Sequence, residues 1–313
     1  MPTSTVRETT DVEECRQTIR PARAEYIVTG CGNFQASVIK IDLHRLWMQR
    51  LQENLTRVWC IEAQRIAIWF SVRPGFPVRA NGIELRDTEV GLIYPSRTLW
   101  QTLSGPAHLA SMSLSVEDLM EMSVTVVGRD LTPGPDVLSI SIPAAAMARL
   151  QRLHAAMGQV AKSAPEIIAN PAAALGIEHS LVEAMLACMS GVGMHEDTAI
   201  RRRHAKIIKR LREVAEEGPD EPLYLTKVCK VVGVPLRTLN LCCNEYLGIS
   251  PKRYLTLRRL HLVRKALLEA SAGAATVTET AMRYGFWEFG RFAVAYKALF
   301  GESPSATLRR LRQ

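Results

Sequence analysis

The tetrapeptide Gly248-Ile-Ser-Pro251 returns 53 residues later as Gly301-Glu-Ser-Pro304, and the match extends backwards through the chain. At the same offset Leu239 falls on Phe292, Cys243 on Tyr296 and Tyr246 on Leu299. Further upstream Leu225 falls on Val277, Cys229 on Ala281 and Gly233 on Gly285, with one extra residue in the turn of the second copy. An internal repeat of this kind is one supersecondary unit built twice. Each copy reads as a helix-turn-helix. The small residue four before the glycine (Cys229, Ala281) lets two helices cross closely, and the glycine accepts the positive φ of a tight turn. Leu239 and Tyr246, or Phe292 and Leu299, form the inward face of the second helix. Gly248 and Gly301 end that helix; Ser250-Pro251 and Ser303-Pro304 then start the next, serine as N-cap and proline in the first turn.

The spacing predicts helix-turn-helix units over about 225–246 and about 277–300, joined by a linker helix over about 251–270 with Tyr254, Leu257, Leu260, Val263 and Leu267 on its apolar stripe. Twenty helical residues span about 30 Å, and successive major-groove faces on one side of B-DNA recur every ~34 Å. Two units at the ends of such a rod suit one monomer reading two half-sites. The competing reading is a helical scaffold with no nucleic acid.

Charge separates these readings. Residues 199–313 hold 22 Lys+Arg against 10 Asp+Glu, a balance of +12, whereas residues 1–198 hold 17 against 21, or −4. A basic C-terminal third on a slightly acidic body points to a polyanion partner for that third.

Residues 200–313 resemble the two-unit DNA-binding domain of AraC/XylS-family transcription regulators. The residues that carry the likeness are Arg237-Thr-Leu, Leu247-Gly248 with Ser250-Pro251, Leu257-Arg258-Arg259-Leu260, Ala266-Leu267-Leu268, Ala281, Gly285-Phe286, Phe292, Phe300-Gly301 and Ser303-Pro304. The tail from Tyr284 to Leu308 is more similar to the branch containing ethanolamine-utilisation regulators. Two positions depart from the family: Asn240, where a basic residue is common, and Cys243, where an aromatic is common.

The resemblance and the helical phase together assign DNA contacts. Base-reading candidates are Arg237, Thr238, Asn240 and Leu241 in the first unit, and Glu288, Gly290, Arg291 and Val294 in the second. Arginine suits guanine O6/N7, asparagine suits adenine N6/N7, and an apolar side chain suits the thymine methyl. Glu288 has a second reading as an early-turn partner of the helix dipole. Lys206, Lys209, Asn244, Lys252, Arg253, Arg258, Arg259 and Lys297 are candidate phosphate contacts, which set register without reading sequence.

The rest of the chain divides into a polar, frayed segment at 1–20, a strand-rich region at 21–142, a helical connector at 143–190 and a linker at 191–199. The strand-like runs are YIVTG, FQASVIKI, RVWCIE, RIAIWFSV, GLIYPS and HLASMSLS, separated by turn signals at 73–77 and Asn81-Gly82. They predict a small antiparallel barrel or sandwich, hence an α+β chain with an all-α C-terminal domain. The family resemblance implies a cupin-like effector domain here. Trp59, Arg65, Trp69, Arg73 and Tyr94 are the candidate effector-pocket residues, from a wider set that includes Trp47, Phe70, Phe76, Arg79 and Trp100; buried aromatics are more often plain core. The connector helices, with Met147, Leu150, Leu153 and Met157 and then Ile177, Leu181, Met185 and Leu186 at helical spacing, are either core cover or a homodimer seam.

Enzyme chemistry finds no support. His44 and His108 are the only histidines before residue 150, and the sequence has no phosphate loop or nucleophile elbow. The seven cysteines include no C-x-x-C pair and no zinc spacing; with no secretory signal they read as reduced thiols of a cytoplasmic protein. The vicinal pair Cys242-Cys243 has a redox or soft-metal reading and a plain core reading. No stretch is apolar over the ~18 residues of a membrane span. The expectation is therefore a transcription regulator without cofactor or metal, acting as a ligand-responsive activator, with double-stranded DNA, RNA polymerase and a small-molecule effector as partners and no membrane contact. The alternative is a ligand-independent or partner-regulated DNA-binding protein whose N-terminal domain only dimerises.

Overall fold

The computed structural model describes residues 1–19, 23–73, 78–95, 97–191, 193–218, 224–270 and 276–309. Phe76 and most of the turn signal at 73–77 lie outside them. The first half carries β1 (Thr3–Thr9), α1 (Val12–Thr18), β2 (Arg23–Val28), β3 (Ala36–Asp42), β4 (Trp47–Glu53), β5 (Arg57–Glu62) and β6 (Ile66–Ser71). It continues with β7 (Val78–Ala80), β8 (Ile83–Leu85), β9 (Glu89–Ile93), β10 (Thr98–Leu103), β11 (Ala107–Leu114), α2 (Val116–Val127) and β12 (Val137–Ser141). Then come α3 (Ala144–Ser163), α4 (Pro165–Ala169), α5 (Pro171–Met189) and β13 (Gly193–Glu196). The remainder is helical: α6 (Ala199–Glu217), α7 (Leu225–Val232), α8 (Leu236–Tyr246), α9 (Pro251–Glu269), α10 (Val277–Arg283), α11 (Phe289–Phe300) and α12 (Pro304–Arg309).

The strands form two antiparallel sheets, one in the order β1-β3-β4-β11-β6-β9-β12-β13 and one in the order β2-β5-β10-β7-β8. They do not close into a barrel. Strand alternation explains the layering. In β6, Ile66, Ile68 and Phe70 face a core shared with the helices α2 to α5, while Ala67 and Trp69 face the space between the sheets. In β5, Trp59 and Ile61 face that same space, whereas Val58 and Cys60 join a core made with the C-terminal helices. Both sheets are thus covered on both faces, which is why RVWCIE and IAIWF read as almost unbroken apolar runs.

Asn81 and Gly82 adopt φ 46° and 80° and turn β7 into β8, the left-handed pair that a two-residue hairpin requires. Asn81 also accepts from the Trp100 amide through its side chain (2.9 Å), which fixes the turn to β10.

Three sequence expectations change. The described part of the segment at 1–20, residues 1–19, is not frayed: Thr-rich β1 pairs with β3, and Asp11 caps α1 through the amides of Glu13 and Glu14. Residues 191–199 are not a plain linker, because β13 extends the large sheet beside β12. β4 and β10 also went unread, since WMQRLQE and TLWQTL mix polar and apolar residues. The connector helices cover the large sheet, with Met147, Leu150, Leu181, Met185 and Leu186 in its core. α5 is long and apolar enough by composition to cross a membrane, and here half of that window is buried in this core.

Candidate nucleic-acid interface

The two turns form by the same hydrogen bond. Gly233 and Gly285 adopt φ 76° and 75°. The next amide donates back across the turn in each, Val234 to the Cys229 carbonyl (3.1 Å) and Phe286 to the Ala281 carbonyl (3.0 Å). Leu239, Cys242, Cys243 and Tyr246 are buried beneath α8, as are Phe292, Tyr296 and Leu299 beneath α11. The exits match as well. Ser250 Oγ accepts from the Arg253 amide (3.3 Å) and Ser303 Oγ from the Ala306 amide (3.2 Å). Cys242 and Cys243 are fully buried in the core of this unit, and burial pushes the Cys242 thiol up to about 11 and Cys243 higher still, which disfavours the thiolate.

The outward faces correspond in part: positions 236 and 289, 237 and 290, 241 and 294, and 244 and 297 are exposed in both copies, whereas half-buried Thr238 and Asn240 fall on exposed Arg291 and Ala293. Arg237 and Leu241 are exposed on α8, with Thr238 and Asn240 half-buried beside them. Asn240 Nδ2 donates to the Leu236 carbonyl one turn back (3.0 Å). On α11 Gly290, Arg291 and Val294 are exposed, and nothing lies within 4 Å of where a side chain at 290 would begin. Glu288 is the N-cap residue of α11 and holds Arg291 in an ion pair (2.8 Å).

The candidate phosphate contacts scatter. Lys252 and Arg253 are exposed in the first turn of α9, and Asn244 and Lys297 are exposed late in α8 and α11, 53 residues apart. Arg258 is only 12 % exposed. Its Nε donates to Glu25 of β2 (2.7 Å) and Nη1 to the Ala215 carbonyl (2.5 Å), so it is committed to the domain junction and does not face a phosphate. Arg259 lies over the Phe286 ring (5.0 Å), donates to the Gly285 carbonyl (3.4 Å) and has its pKa lowered by burial; it braces the second turn. Lys206 and Lys209 are exposed on α6, against strands of the N-terminal domain.

Sequence reasoning named Leu241 and Val294 but missed Leu236, Phe289 and Trp287, which belong to the same recurring surface. Leu236 and Phe289 are both exposed, as are Leu241 (57 %) and Val294 (71 %), and each pair is separated by 53 residues. Trp287 adds a further exposed ring beside the second turn. Apolar side chains left in water at matching positions of both copies mark the shared outer surface. Aligning the exposed faces, and not only the buried ones, would have found them.

The N-terminal domain is joined to this helical domain by ion pairs and a shared core. Ile27, Val58, Cys60 and Trp100 pack with residues such as Leu211, Tyr254 and Leu257. Glu25 accepts from both Arg258 and Tyr254 Oη. Arg212 donates to Glu62 (2.7 Å), and Arg264 bridges Asp11 (2.6 Å) and Glu302 (2.5 Å).

Of the effector candidates, Trp59, Arg65 and Trp69 line one cavity of about 140 Å3 between the sheets, together with Trp47 and Gln101. Arg65 lies over the Trp47 ring (4.1 Å). Arg73 and Tyr94 do not line that cavity; they line two others.

Residues 228–310 match the family described as "Helix-turn-helix domain". The chain is 40 % identical over 103 residues to the "Probable thc operon regulatory protein" of Rhodococcus erythropolis, covering 33 % of this chain and 31 % of that one. It is 35 % identical over 102 residues to "XylDLEGF operon transcriptional activator 1" of Pseudomonas putida, again covering 33 % and 31 %. The matched segment thus spans about a third of the length of these curated relatives. Among solved structures, a probable AraC family transcriptional regulator from Rhodopseudomonas palustris is 30 % identical, covering 34 % of this chain and 98 % of that one, with a TM-score of 0.32.

Proposed function

We propose, from the premise that residues 228–310 are an AraC/XylS-type helix-turn-helix domain, that this chain is a sequence-specific DNA-binding transcription regulator, a ligand-responsive activator whose helices α8 and α11 read successive major grooves. The observation that carries this reading is the repeated outer face: two helices, with the same turn and four matched exposed positions, joined through α9. Nineteen helical residues give that rod a length of about 28 Å, close to the ~34 Å between adjacent half-sites. Arg237 and Arg291 are the base readers; Lys252, Arg253, Asn244 and Lys297 set register on phosphates. Glu288, by holding Arg291, pre-orders its guanidinium for a guanine edge. Double-stranded DNA and RNA polymerase are the partners in the cytoplasm. The cavity between the sheets, with aromatic walls and the polar groups of Arg65 and Gln101, suits a small effector.

Footprinting the full chain on DNA upstream of its own gene and its neighbours, with a salt titration, tests this. The expected result is protection over two segments one helical turn apart per monomer, with affinity falling steeply as salt rises. Protection of a single groove per monomer would overturn the two-reader geometry. Binding without a preferred site, by both the full chain and residues 200–313, would overturn sequence-specific regulation.

A further inference from the structure

Helix α6 places Lys206 and Lys209 on one wall of a cavity of about 200 Å3 between the two domains. The other walls come from β9, β10 and the segment around Val137, with Leu92, Ile93 and Leu99 giving an apolar lining. Trp100 and Asp197 also line it, and both are buried, at 1 % and 8 % exposure. Among the described residues each carries a buried polar atom with no hydrogen-bond partner: the Trp100 indole Nε1, a donor, and Asp197 Oδ1, an acceptor. Leaving such an atom unpaired forfeits its hydration with nothing in exchange, and native structures keep few of them. Two ammonium groups, an indole donor and a carboxylate acceptor therefore line one cavity, together with Arg97 and Arg202, both of which pair with Asp136. Among the described residues neither lysine has a carboxylate within ion-pair distance. Arg202, also on the wall, is already committed to Asp136 and to the Asp197 carbonyl.

We infer that this cavity is a second ligand site, at the domain junction and separate from the one between the sheets, and that it takes a small aliphatic carboxylate carrying an adjacent hydrogen-bond donor. The lysines supply the charge for the carboxylate, and the Trp100 indole donates to one of its oxygens. The adjacent hydroxyl or ammonium donates to Asp197 Oδ1, and a branched tail meets Leu92, Ile93 and Leu99. The volume falls below the ~300–1,000 Å3 of a drug-sized site, which restricts the occupant to a single small metabolite. Burial raises the Asp197 pKa, and a donor seated against it would draw it back down. A ligand held by both domains stabilises their docked arrangement by mass action, which makes the site a way to change how the DNA-binding helices are presented.

The test is calorimetric titration of the purified full-length chain with 2-hydroxy-4-methylpentanoate and with leucine. Two controls each lack one feature: 4-methylpentanoate has no donor and leucinamide has no carboxylate. The expected result is one-to-one binding of at least one of the first two, with both controls at least tenfold weaker. The exposed pair Lys206→Ala/Lys209→Ala should lower that affinity at least tenfold, and Arg65→Ala, at the other cavity, should leave it unchanged. Absence of binding by both probes overturns the inference, and so does binding lost in Arg65→Ala but kept in the lysine pair. If the lysine pair weakens DNA binding and leaves the probe affinity intact, these cations serve phosphate and the inference falls; the proposed DNA-binding function would survive that result.

Discussion

In the first helix-turn-helix unit Tyr246 sends its hydroxyl to the Arg201 carbonyl on α6 (2.7 Å); in the second the tyrosine stands one turn earlier, at Tyr296, and reaches Thr307 Oγ1 on α12 (2.9 Å). The equivalent pairs are Cys243 with Tyr296 and Tyr246 with Leu299, so the large and the small residue have changed places. The first unit, lacking an aromatic at 243, leans on the helix that precedes it, where Ile207, Ile208 and Leu211 complete its core. The second leans on the helix that follows it and on a chain of rings, Phe286 to Phe292 (5.0 Å), Phe292 to Tyr296 (5.7 Å) and Tyr296 to Phe300 (4.6 Å). The N-terminal domain touches both copies. Its Gly82 turn packs against Glu245, and its Gly32 amide donates to the Ala298 carbonyl (3.2 Å), again 53 residues apart. Gly301, with φ 73°, lies so near Asn33 that any side chain there would collide with it. The comparison shows that the repeat preserves backbone and outer face, while each copy recruits its own third helix to close its core.

The largest test of this difference is truncation of the matched core residues. Phe292→Ala should cost about 3–5 kcal/mol and Leu239→Ala about 2–5 kcal/mol, with Phe292 the greater because it lies within the ring chain. Chemical denaturation of the two variants side by side measures this. Equal losses would mean that the rings contribute nothing beyond their buried area.

Base reading should separate the units next. Arg237→Ala and Arg291→Ala should each remove about 1–3 kcal/mol of discrimination at one base, in different half-sites. Lys252→Ala should weaken all sequences alike. Binding across a library of sites reads this directly, and a uniform loss for Arg291→Ala would end its role as a reader.

How much of this was legible follows from what periodicity encodes. Both turns, the linker helix and the buried faces showed in the sequence because Gly233, Gly285, Ser250 and Ser303 are local requirements of backbone geometry. The runs of β5, β6 and β9 showed because a strand covered on both faces is apolar throughout, and those of β3 and β11 because their burial alternates. β4 and β10 stayed hidden because Gln49, Gln52, Gln101 and Thr102 interrupt their alternation. Arg258 was misread because a basic residue on a helix looks the same in sequence whether it meets a phosphate or a Glu25 some 230 positions away. Trp59, Arg65 and Trp69 share one cavity while Arg73 and Tyr94 line two others, since strand pairing decides which segments meet at a cavity.

The second unit's dock should also be sensitive to acid. His261 Nε2 lies 3.2 Å from the Val28 carbonyl, its ring meets Phe300 (5.1 Å), and burial holds its pKa down to about 4. The unfolded chain protonates such a histidine near 6.5. Its contribution is therefore complete above that pH and is lost as pH falls from 6.5 to 4, by about 1.4 kcal/mol per unit. His154, held down to about 3 by burial in the other core, acts in the same direction. His261→Gln should flatten the stability profile between pH 6.5 and 4, and an unchanged slope would assign the whole effect to His154.

The two tyrosine hydroxyls give the smallest and sharpest test. Removing a hydrogen bond of this kind costs about 1 kcal/mol, more when a buried partner is left unpaired. Thr307 Oγ1 has a second partner in Glu302 Oε1 (2.9 Å), so Tyr296→Phe leaves that hydroxyl satisfied and should cost little. Tyr246→Phe removes a side-chain tie between α8 and α6, and α6 in turn carries Arg212 to Glu62. Its loss should be the larger of the two and should reach the domain junction, seen as faster amide exchange along α6. Equal, local losses would show that the first unit holds α6 by apolar packing and the His204–Glu245 contact (2.6 Å), and that the exchange of tyrosine between the copies is neutral.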